Sequence, residues 1–462
     1  MDSRVTLFSA PTRDMIQPRI LLLAALALLA SPALSQVSRH LWVDAVQGKD
    51  SNPGTASLPF RSITKGVAVG QQDVVIHVNP GTYSPSKTGE VFTIQFSGVY
   101  KNVTLTGVNA KACIIDFEQV VASMSSWYFL ISTGAQGIEI AHLTMKNGAF
   151  RPAVPWYSAA IWWQSVKGLD LHHCIIEACE SGIYSANAAQ DVAVHDNVFL
   201  GCNIAARFRQ DATAGAKNCR FYNNLVANSA AGFVDTVSPS ANDATQVFVN
   251  NLSINNQGNG FQGTLPAGIV FENNNAWNNT GSNYSMTGPL SKTNTSKDPM
   301  LVDLAKGDYH LKPGSPMIEA GYAGGQPGMI NDFFGNARVS DHDGDQRSLP
   351  DIGIHEVAGI SLAVANWGQG KTAKFTTTPN QANMGSGFLF VSPNRRSTVL
   401  SRYGSIGLDP LLLFFVGTSK IPGSVSLSVP KNPVWVGVTL YFQALAFNGT
   451  AWRPSGCLDL GL

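Results

Sequence analysis

One asparagine recurs through the middle of this chain at an interval that few architectures can use. The segments Leu171-His-His-Cys174-Ile, Val194-His-Asp-Asn197-Val, Phe221-Tyr-Asn-Asn224-Leu, Phe248-Val-Asn-Asn251-Leu and Phe271-Glu-Asn-Asn274-Asn align on one pattern. Each has an apolar residue, two mostly polar residues, and then a position held by Asn in four of the five segments. The aligned positions are 174, 197, 224, 251 and 274, so the intervals are 23, 27, 27 and 23 residues. Ile140-Ala-His-Leu143 and Leu105-Thr-Gly-Val108 extend the series upstream at longer intervals. A second apolar strand follows each aligned position, around Ile183, Ala206, Phe233 and Phe261.

A unit this short cannot bury its own apolar face, so it must stack on copies of itself. Short β-like pieces stacked at such a period make a parallel β-helix. An Asn at one corner suits that fold twice over. Its amide can donate to one coil and accept from the next, and it tolerates the left-handed backbone of a tight corner. Positions 174, 197, 224, 251 and 274 are therefore expected to form one column, with a step of about 4.7–4.9 Å between coils.

Composition agrees with an all-β chain: charged residues make up 13% and glycine contributes 44 of 462 positions. The formal net charge is +1, and no Lys/Arg cluster is present. A nucleic-acid partner is therefore not expected. Residues 1–35 read as a secretory signal: Arg13 and Arg19 precede the apolar run from Ile20 to Ala30, and Ala33-Leu34-Ser35 offers small residues for cleavage. Met15 would give a leader of more usual length. Removing residues 1–35 takes away Arg4, Arg13 and Arg19 against Asp2 and Asp14, which brings the net charge from +1 to zero. No transmembrane segment is expected after cleavage, and the expected location is extracellular or at the cell surface. All six cysteines follow the leader, and no C-x-x-C pair occurs. Cys179 and Cys202 each lie five residues past an aligned position, so they are expected as a disulfide or a close stacked pair.

Two blocks carry a family resemblance. The opening has Leu41-Trp-Val-Asp, Asp50-Ser-Asn-Pro-Gly-Thr55, Pro59-Phe-Arg-Ser-Ile63 and Val74-Val-Ile-His-Val78-Asn-Pro-Gly-Thr-Tyr83. The closing block has Asp308-Tyr-His-Leu-Lys-Pro-Gly-Ser-Pro316, Ala320-Gly321, Asp332, Gly335-Asn-Ala-Arg338, Asp351-Ile-Gly353 and Glu356. Together they resemble bacterial secreted β-helix proteins of the pectate-lyase-like superfamily, over roughly residues 41–356. The resemblance implies a right-handed parallel β-helix across residues 36–357. It implies little about activity, because that fold carries lyases, hydrolases, epimerases and inert solenoids. Residues 358–462 change character. They alternate apolar strands such as Gly387-Phe-Leu-Phe-Val391 with Pro, Gly and Asn punctuation, which predicts a small antiparallel β-sandwich. This part resembles C-terminal domains of secreted proteins from planctomycete-like bacteria. Limited proteolysis near Ala358 is expected to separate the two parts.

No complete catalytic signature is present: there is no G-x-S-x-G elbow and no H-E-x-x-H helix. The paired-Asp and Gly-His-Gly motifs of β-helix galacturonidases are also absent. The candidate surface lies on the second strand of each coil. With Ile183, Ala206 and Phe233 inward, alternation turns Tyr184, Arg207 and Val234 outward, followed by Arg209 and Thr236. Trp162 takes the same place one coil earlier, near Trp156, Tyr157 and Trp163. Aromatic faces stack on sugar rings, and Arg forks onto a uronate carboxylate. The resemblance implies lyase chemistry, in which a basic residue abstracts the proton beside the carboxylate and calcium acidifies it. Arg207 and Arg209 are then the candidate base and its neutralising partner. Trp162, Tyr184, Trp156 and Asp235 would line the groove. Calcium would sit on Asp211, or on the alternating carboxylates Asp341, Asp343 and Asp345, with Glu356 as a further ligand. The plainer alternatives are Trp162 and Trp163 packed under the preceding loop, and Arg207 and Arg209 solvated beside Asp211. His172 and His195 share one coil position and are expected to stack on the surface as an effect of the repeat. Two functions stay open: a lyase or epimerase on a uronate-containing polysaccharide, or a non-catalytic glycan-binding surface protein.

Overall fold

The computed structural model describes residues 39–120, 126–150, 158–186, 189–208, 217–235, 246–265, 269–324, 326, 331–336, 338 and 349–357, with strand backbone alone for most of 360–461. The leader and Cys457 lie outside the described residues.

The repeat winds into a parallel β-solenoid of three sheets. Each coil contributes one strand to each sheet in turn. The first sheet runs through Arg39–Val43, Gln72–Val78, Lys101–Gly107, Gln136–Ala141, Lys167–His172, Gln190–His195, Cys219–Tyr222, Gln246–Val249 and Ile269–Glu272. The second is made of short strands from Gly81–Tyr83 to Asn275–Trp277, and the third of strands from Ile94–Phe96 to Tyr284–Thr287. Every strand sits beside its counterpart one coil away, so sequence order and spatial order coincide. Inward residues fill the bore: Val103, Leu105, Ile138, Ile140, Leu169, Leu171, Val192 and Val194 from the first sheet, and Phe129, Ile161, Ile183, Ala206, Phe208 and Phe233 from the third. A short helix, α1 (Ile63–Val69), packs Gly66 against Val43 and Ile76 near the first coil. Ser62 caps it by accepting from Lys65 N at 3.1 Å.

The expected column forms. Asn224 Oδ1 accepts from Asn197 N at 3.2 Å, Asn251 Oδ1 from Asn224 N at 3.1 Å, and Asn274 Oδ1 from Asn251 N at 3.0 Å. Each amide also donates back to a strand carbonyl: Asn197 to Leu171, Asn224 to Val194 and Asn251 to Phe221, all at 2.9 Å. Asn294 extends the column, accepting from Asn274 N at 3.0 Å. A second ladder stands at the next corner, where Ser229 Oγ accepts from Cys202 N, Asn256 Oδ1 from Ser229 N and Asn279 Oδ1 from Asn256 N. The residue before each ladder position takes positive φ: His173, Asp196, Asn223, Asn250 and Asn273 at one corner, and Ala178, Gly201, Asn228, Asn255 and Asn278 at the other. Asn, Asp and Gly dominate these columns because they bear the left-handed backbone at least cost.

Cys179 and Cys202 meet at the second corner as buried free thiols, without a disulfide. Burial, then the adjacent Cys202, pushes the Cys179 thiol well above its ordinary range.

The described residues between 298 and 357 leave the coil and lie over the second sheet. Tyr309, Leu311, Met317, Ile352 and Ile354 pack on the outward Ile175, Val198, Leu225 and Leu252. The left-handed corner holds this closing segment: Asn223 Nδ2 donates to Gly353 O at 2.9 Å, Asn250 Oδ1 accepts from Tyr322 N at 2.7 Å, and Asn273 Nδ2 donates to Ala320 O at 2.9 Å. Beyond residue 359 the described strands pair antiparallel. Ile360–Ala365, Thr372–Pro379 and Gly423–Ser428 form one sheet, and Phe414–Lys420, Ser386–Ser392 and Thr439–Phe447 form the centre of another.

Candidate functional site

The outward row of the third sheet forms in the expected register: Trp162 beside Tyr184, Tyr184 beside Arg207 and Arg207 beside Val234. It differs from an open groove, since Trp162 is 8% exposed and Tyr184 4%. The cause is the stacking itself. Trp127 covers Trp162 at 4.4 Å between ring centroids, Tyr184 lies on its other side at 6.5 Å, and the Arg207 guanidinium stands 6.0 Å from the Tyr184 ring. A flat ring between two neighbours loses both faces. Trp163 points inward and is buried. Arg207 is half-buried. Arg209, Asp211, Trp156, Asp341, Asp343 and Asp345 lie outside the described residues, as does the side chain of Asp235.

The first sheet presents a polar outer face, of which only the stacked pair His172 and His195 was expected. Its outward residues form two rows, Thr104, Glu139, Asp170, Ala193 and Arg220 in one, and Thr106, Ala141, His172, His195 and Tyr222 in the other. Glu139 and Asp170 stand in register on adjacent coils, with side chains 40% and 46% exposed. Each reaches one coil along to an imidazole. Glu139 Oε1 lies 3.2 Å from His172 Nε2, and Asp170 Oδ1 lies 3.1 Å from His195 Nε2. Thr104 Oγ1 donates to Glu139 Oε2 at 3.0 Å. The rings stack as expected of a repeat, His172 on His195 at 5.0 Å, then His195 on Tyr222 at 4.7 Å, but His195 is buried between its neighbours and not at the surface.

These contacts set the charges. Burial favours the neutral form of Glu139, but the hydrogen bond and charge of His172, with Thr104, outweigh it and hold the carboxyl below its usual range. Asp170 behaves likewise against His195. His195 is buried, which alone would lower its pKa; Asp170 and Asp196 on its two nitrogens push it up to about 9. Near neutral pH it is an imidazolium between two carboxylates.

Asp196 joins this face to the closing segment. It pairs on one side with His195 Nδ1 at 2.8 Å and on the other with Arg338. Arg338 is fully buried among Asp196, Asp332 and Glu356. His173, at the same corner one coil earlier, places Nε2 2.8 Å from the Asp332 carbonyl and Nδ1 2.9 Å from His172 Nδ1. Two groups among the described residues bring metal-ligating atoms within 4.8 Å of one another: His142, His172 and His173, and His173, His195 and Asp196. Alternation counted back from the ladder would have found the outward residues, because Asp170 and His172 lie four and two places before position 174, and His195 two before Asn197.

Two family models match parts of the chain. Residues 46–243 are similar to the family described as a protein of unknown function, DUF1565, and residues 172–322 to a disaggregatase-related family. No curated protein matches. Among solved structures, a GH136 lacto-N-biosidase from Eubacterium ramulus aligns at 12% identity and TM-score 0.34, over 52% of this chain and 56% of its own. The chain thus spans little more than half the length of that enzyme. A rhamnogalacturonan lyase aligns at 12% identity and TM-score 0.32 over 58% and 92% of the two chains. The pectate lyase Pel9A aligns at 15% identity and TM-score 0.30 over 69% and 96%. Among the described residues, no helix is long and apolar enough to cross a membrane.

Proposed function

We propose that this is an exported carbohydrate-binding β-helix protein whose binding face is the outer surface of the first sheet around Glu139, Asp170 and His172. The observation that carries the reading is the register of Glu139 and Asp170. Two ionised, half-exposed carboxylates repeat at one coil spacing, each oriented by an imidazole. Such carboxylates accept charge-assisted hydrogen bonds from hydroxyl groups, and neutral sugars offer hydroxyls in a repeating array. The same negative charge disfavours uronates at this face.

A second reading places an acidic polysaccharide on the third sheet, with lyase or epimerase turnover. Arg207 favours it, since the guanidinium stands over the Tyr184 ring. In that reading Arg207 and Arg209 serve as base and neutralising charge. Trp162, Tyr184, Trp156 and Asp235 line the site, and calcium is held by Asp211 or by Asp341, Asp343 and Asp345.

Binding of the full chain to neutral and uronate oligosaccharides, with product detection, separates the two. The first reading expects neutral glycans to bind, and the double variant Glu139→Gln, Asp170→Asn to lose at least about tenfold in affinity, or roughly 1.4 kcal/mol. If that variant binds like the parent while Arg207→Ala abolishes uronate binding or turnover, the second reading replaces it. If no glycan binds the parent, both fail.

A further inference from the structure

The geometry points to a transition-metal site of the zinc or copper class at the corner between the first two sheets, formed by His142, His172 and His173. Two ring nitrogens face each other at this corner. His172 Nδ1 and His173 Nδ1 are 2.9 Å apart. Each ring has committed its other nitrogen. His172 Nε2 faces the Glu139 carboxylate at 3.2 Å, and His173 Nε2 faces the Asp332 carbonyl at 2.8 Å. Both partners are acceptors only, so both Nε2 atoms must donate. In the neutral rings each Nδ1 then carries a lone pair, and two lone pairs at this distance repel. A cation must sit against them, either one extra proton or a metal ion.

The surroundings favour the metal. His142 takes the same left-handed corner position one coil before His173, and its ring centroid lies 4.8 Å from that of His173. One ring nitrogen from each of His142, His172 and His173 lies within 4.8 Å of the others. A tetrahedral zinc ion, with bonds of about 2.0–2.1 Å, holds neighbouring nitrogens about 3.4 Å apart, within reach of small ring rotations. Histidine ligands commonly donate their second nitrogen to a carboxylate or a backbone carbonyl, which fixes tautomer and ring plane. Glu139 and the Asp332 carbonyl fill those two roles here. Three imidazoles select zinc or copper over calcium or magnesium, which prefer oxygen. His142 and His172 are only partly buried, which leaves room for water as a fourth ligand.

The neighbouring group His173, His195 and Asp196 is the poorer choice. Both His195 nitrogens already face carboxylates, and Asp196 is neutralised by Arg338, which would oppose a second cation. The metal site shares His172 and Glu139 with the glycan face, so His142→Asn and His173→Asn, which leave both of those residues in place, separate the two readings.

Titration calorimetry of the tag-free full chain with Zn2+, and absorption spectra with Co2+ as a geometric probe, test the assignment. One Zn2+ per chain is expected, together with visible bands of tetrahedral Co2+. His142→Asn and His173→Asn place at these corners the residue that the fold itself uses at Asn223 and Asn250, so folding should survive. Each is expected to weaken Zn2+ binding at least about a hundredfold. Glu139→Gln is expected to weaken it about tenfold. His310→Ala, outside the three-histidine group, should bind like the parent. No stoichiometric Zn2+ or Cu2+ binding would mean a shared proton only and would overturn the site. So would unchanged binding in folded His142→Asn and His173→Asn.

Discussion

The coils and the closing segment solve the same problem with different chemistry. Both contain tight, irregular backbone whose polar groups are buried away from water. In the coils, neutral amides satisfy them: each ladder Asn accepts from one neighbour and donates to another. The closing segment uses ions. The Asp332 carboxylate accepts from Phe334 N, Asn336 N, Asn336 Nδ2 and Glu356 N. Asp351 accepts from Glu319 N and Val357 N, and Glu356 from Asp351 N. Repetition explains the choice. An amide in a stack always finds another amide at the same height, so one donor and one acceptor suffice. A segment that occurs once has no copy beside it, and a carboxylate with about four acceptor sites gathers several N–H groups at one point. The buried carboxylates then need a cation, and Arg338 supplies it.

The largest expected effect follows from that dependence. Arg338→Met leaves Asp332 and Glu356 buried without their cation, and Asp196 with His195 alone, at a cost of about 3–5 kcal/mol. Protease-sensitive release of residues 298–357, with the far-ultraviolet β signal of the coils retained, is the expected result. Adding Asp196→Asn should recover part of the loss, since Asn occupies that corner at positions 223 and 250. A variant that melts like the parent would mean the ions do not hold the segment. Asn251→Ala is the matching test of the coils. It strips the acceptor from Asn224 N and a donor from Phe221 O, at about 1–3 kcal/mol for an orphaned buried group. This loss should be the same at pH 5 and pH 8, because no proton is involved.

A pH scan sharpens the contrast at one titrating group of the closing segment, His355. His355 is buried and accepts from Leu311 N at 3.0 Å through Nδ1. Burial, then His310 and Arg338, holds its pKa to about 3. The unfolded chain has an ordinary histidine near 6.5. Above that value neither state binds the proton and the contribution is constant. As pH falls below about 6.5 the unfolded state is protonated first, and stability drops by up to about 1.4 kcal/mol per pH unit toward pH 3. Comparing the parent with His355→Gln isolates this slope from that of Asp351, whose buried carboxyl is raised to about 7 and contributes with the opposite sign. Equal slopes in the two proteins would remove His355 as the cause.

What could be read in advance follows the same division. The ladder, the inward residues of the third sheet and the stacking of His172 on His195 were legible because repetition writes each constraint several times. Asn294 escaped because its interval, 20 residues, breaks the period. The second ladder escaped because Cys202, Ser229 and Asn256 do one task with three residue types. The burial of Trp162 and Tyr184 was not legible, because alternation tells which side a residue faces and not what covers it. The corner cluster required a contact between His173 and Asp332, 159 residues apart, which no local pattern contains.

The smallest expected effect asks whether the ladder is a property of the fold or of the coils that now carry it. Cys174 stands at the foot of the column: its N–H donates to Asn197 Oδ1 at 3.0 Å, and its thiol lies 3.7 Å from the Ile140 carbonyl. That carbonyl is placed as Leu171 O is for Asn197 and Val194 O is for Asn224. An amide in Cys174→Asn would therefore find both a strand carbonyl and the next Oδ1 already in position, and side-chain volume changes little. Burying a new polar group usually costs free energy unless its hydrogen bonds are made. Here they are available, so the variant should lie within about 1 kcal/mol of the parent, on the stabilising side if both bonds form. Thermal melts of the two proteins read the difference. A loss above about 2 kcal/mol would mean that the column needs more than register, and that the thiol is packed where an amide cannot follow.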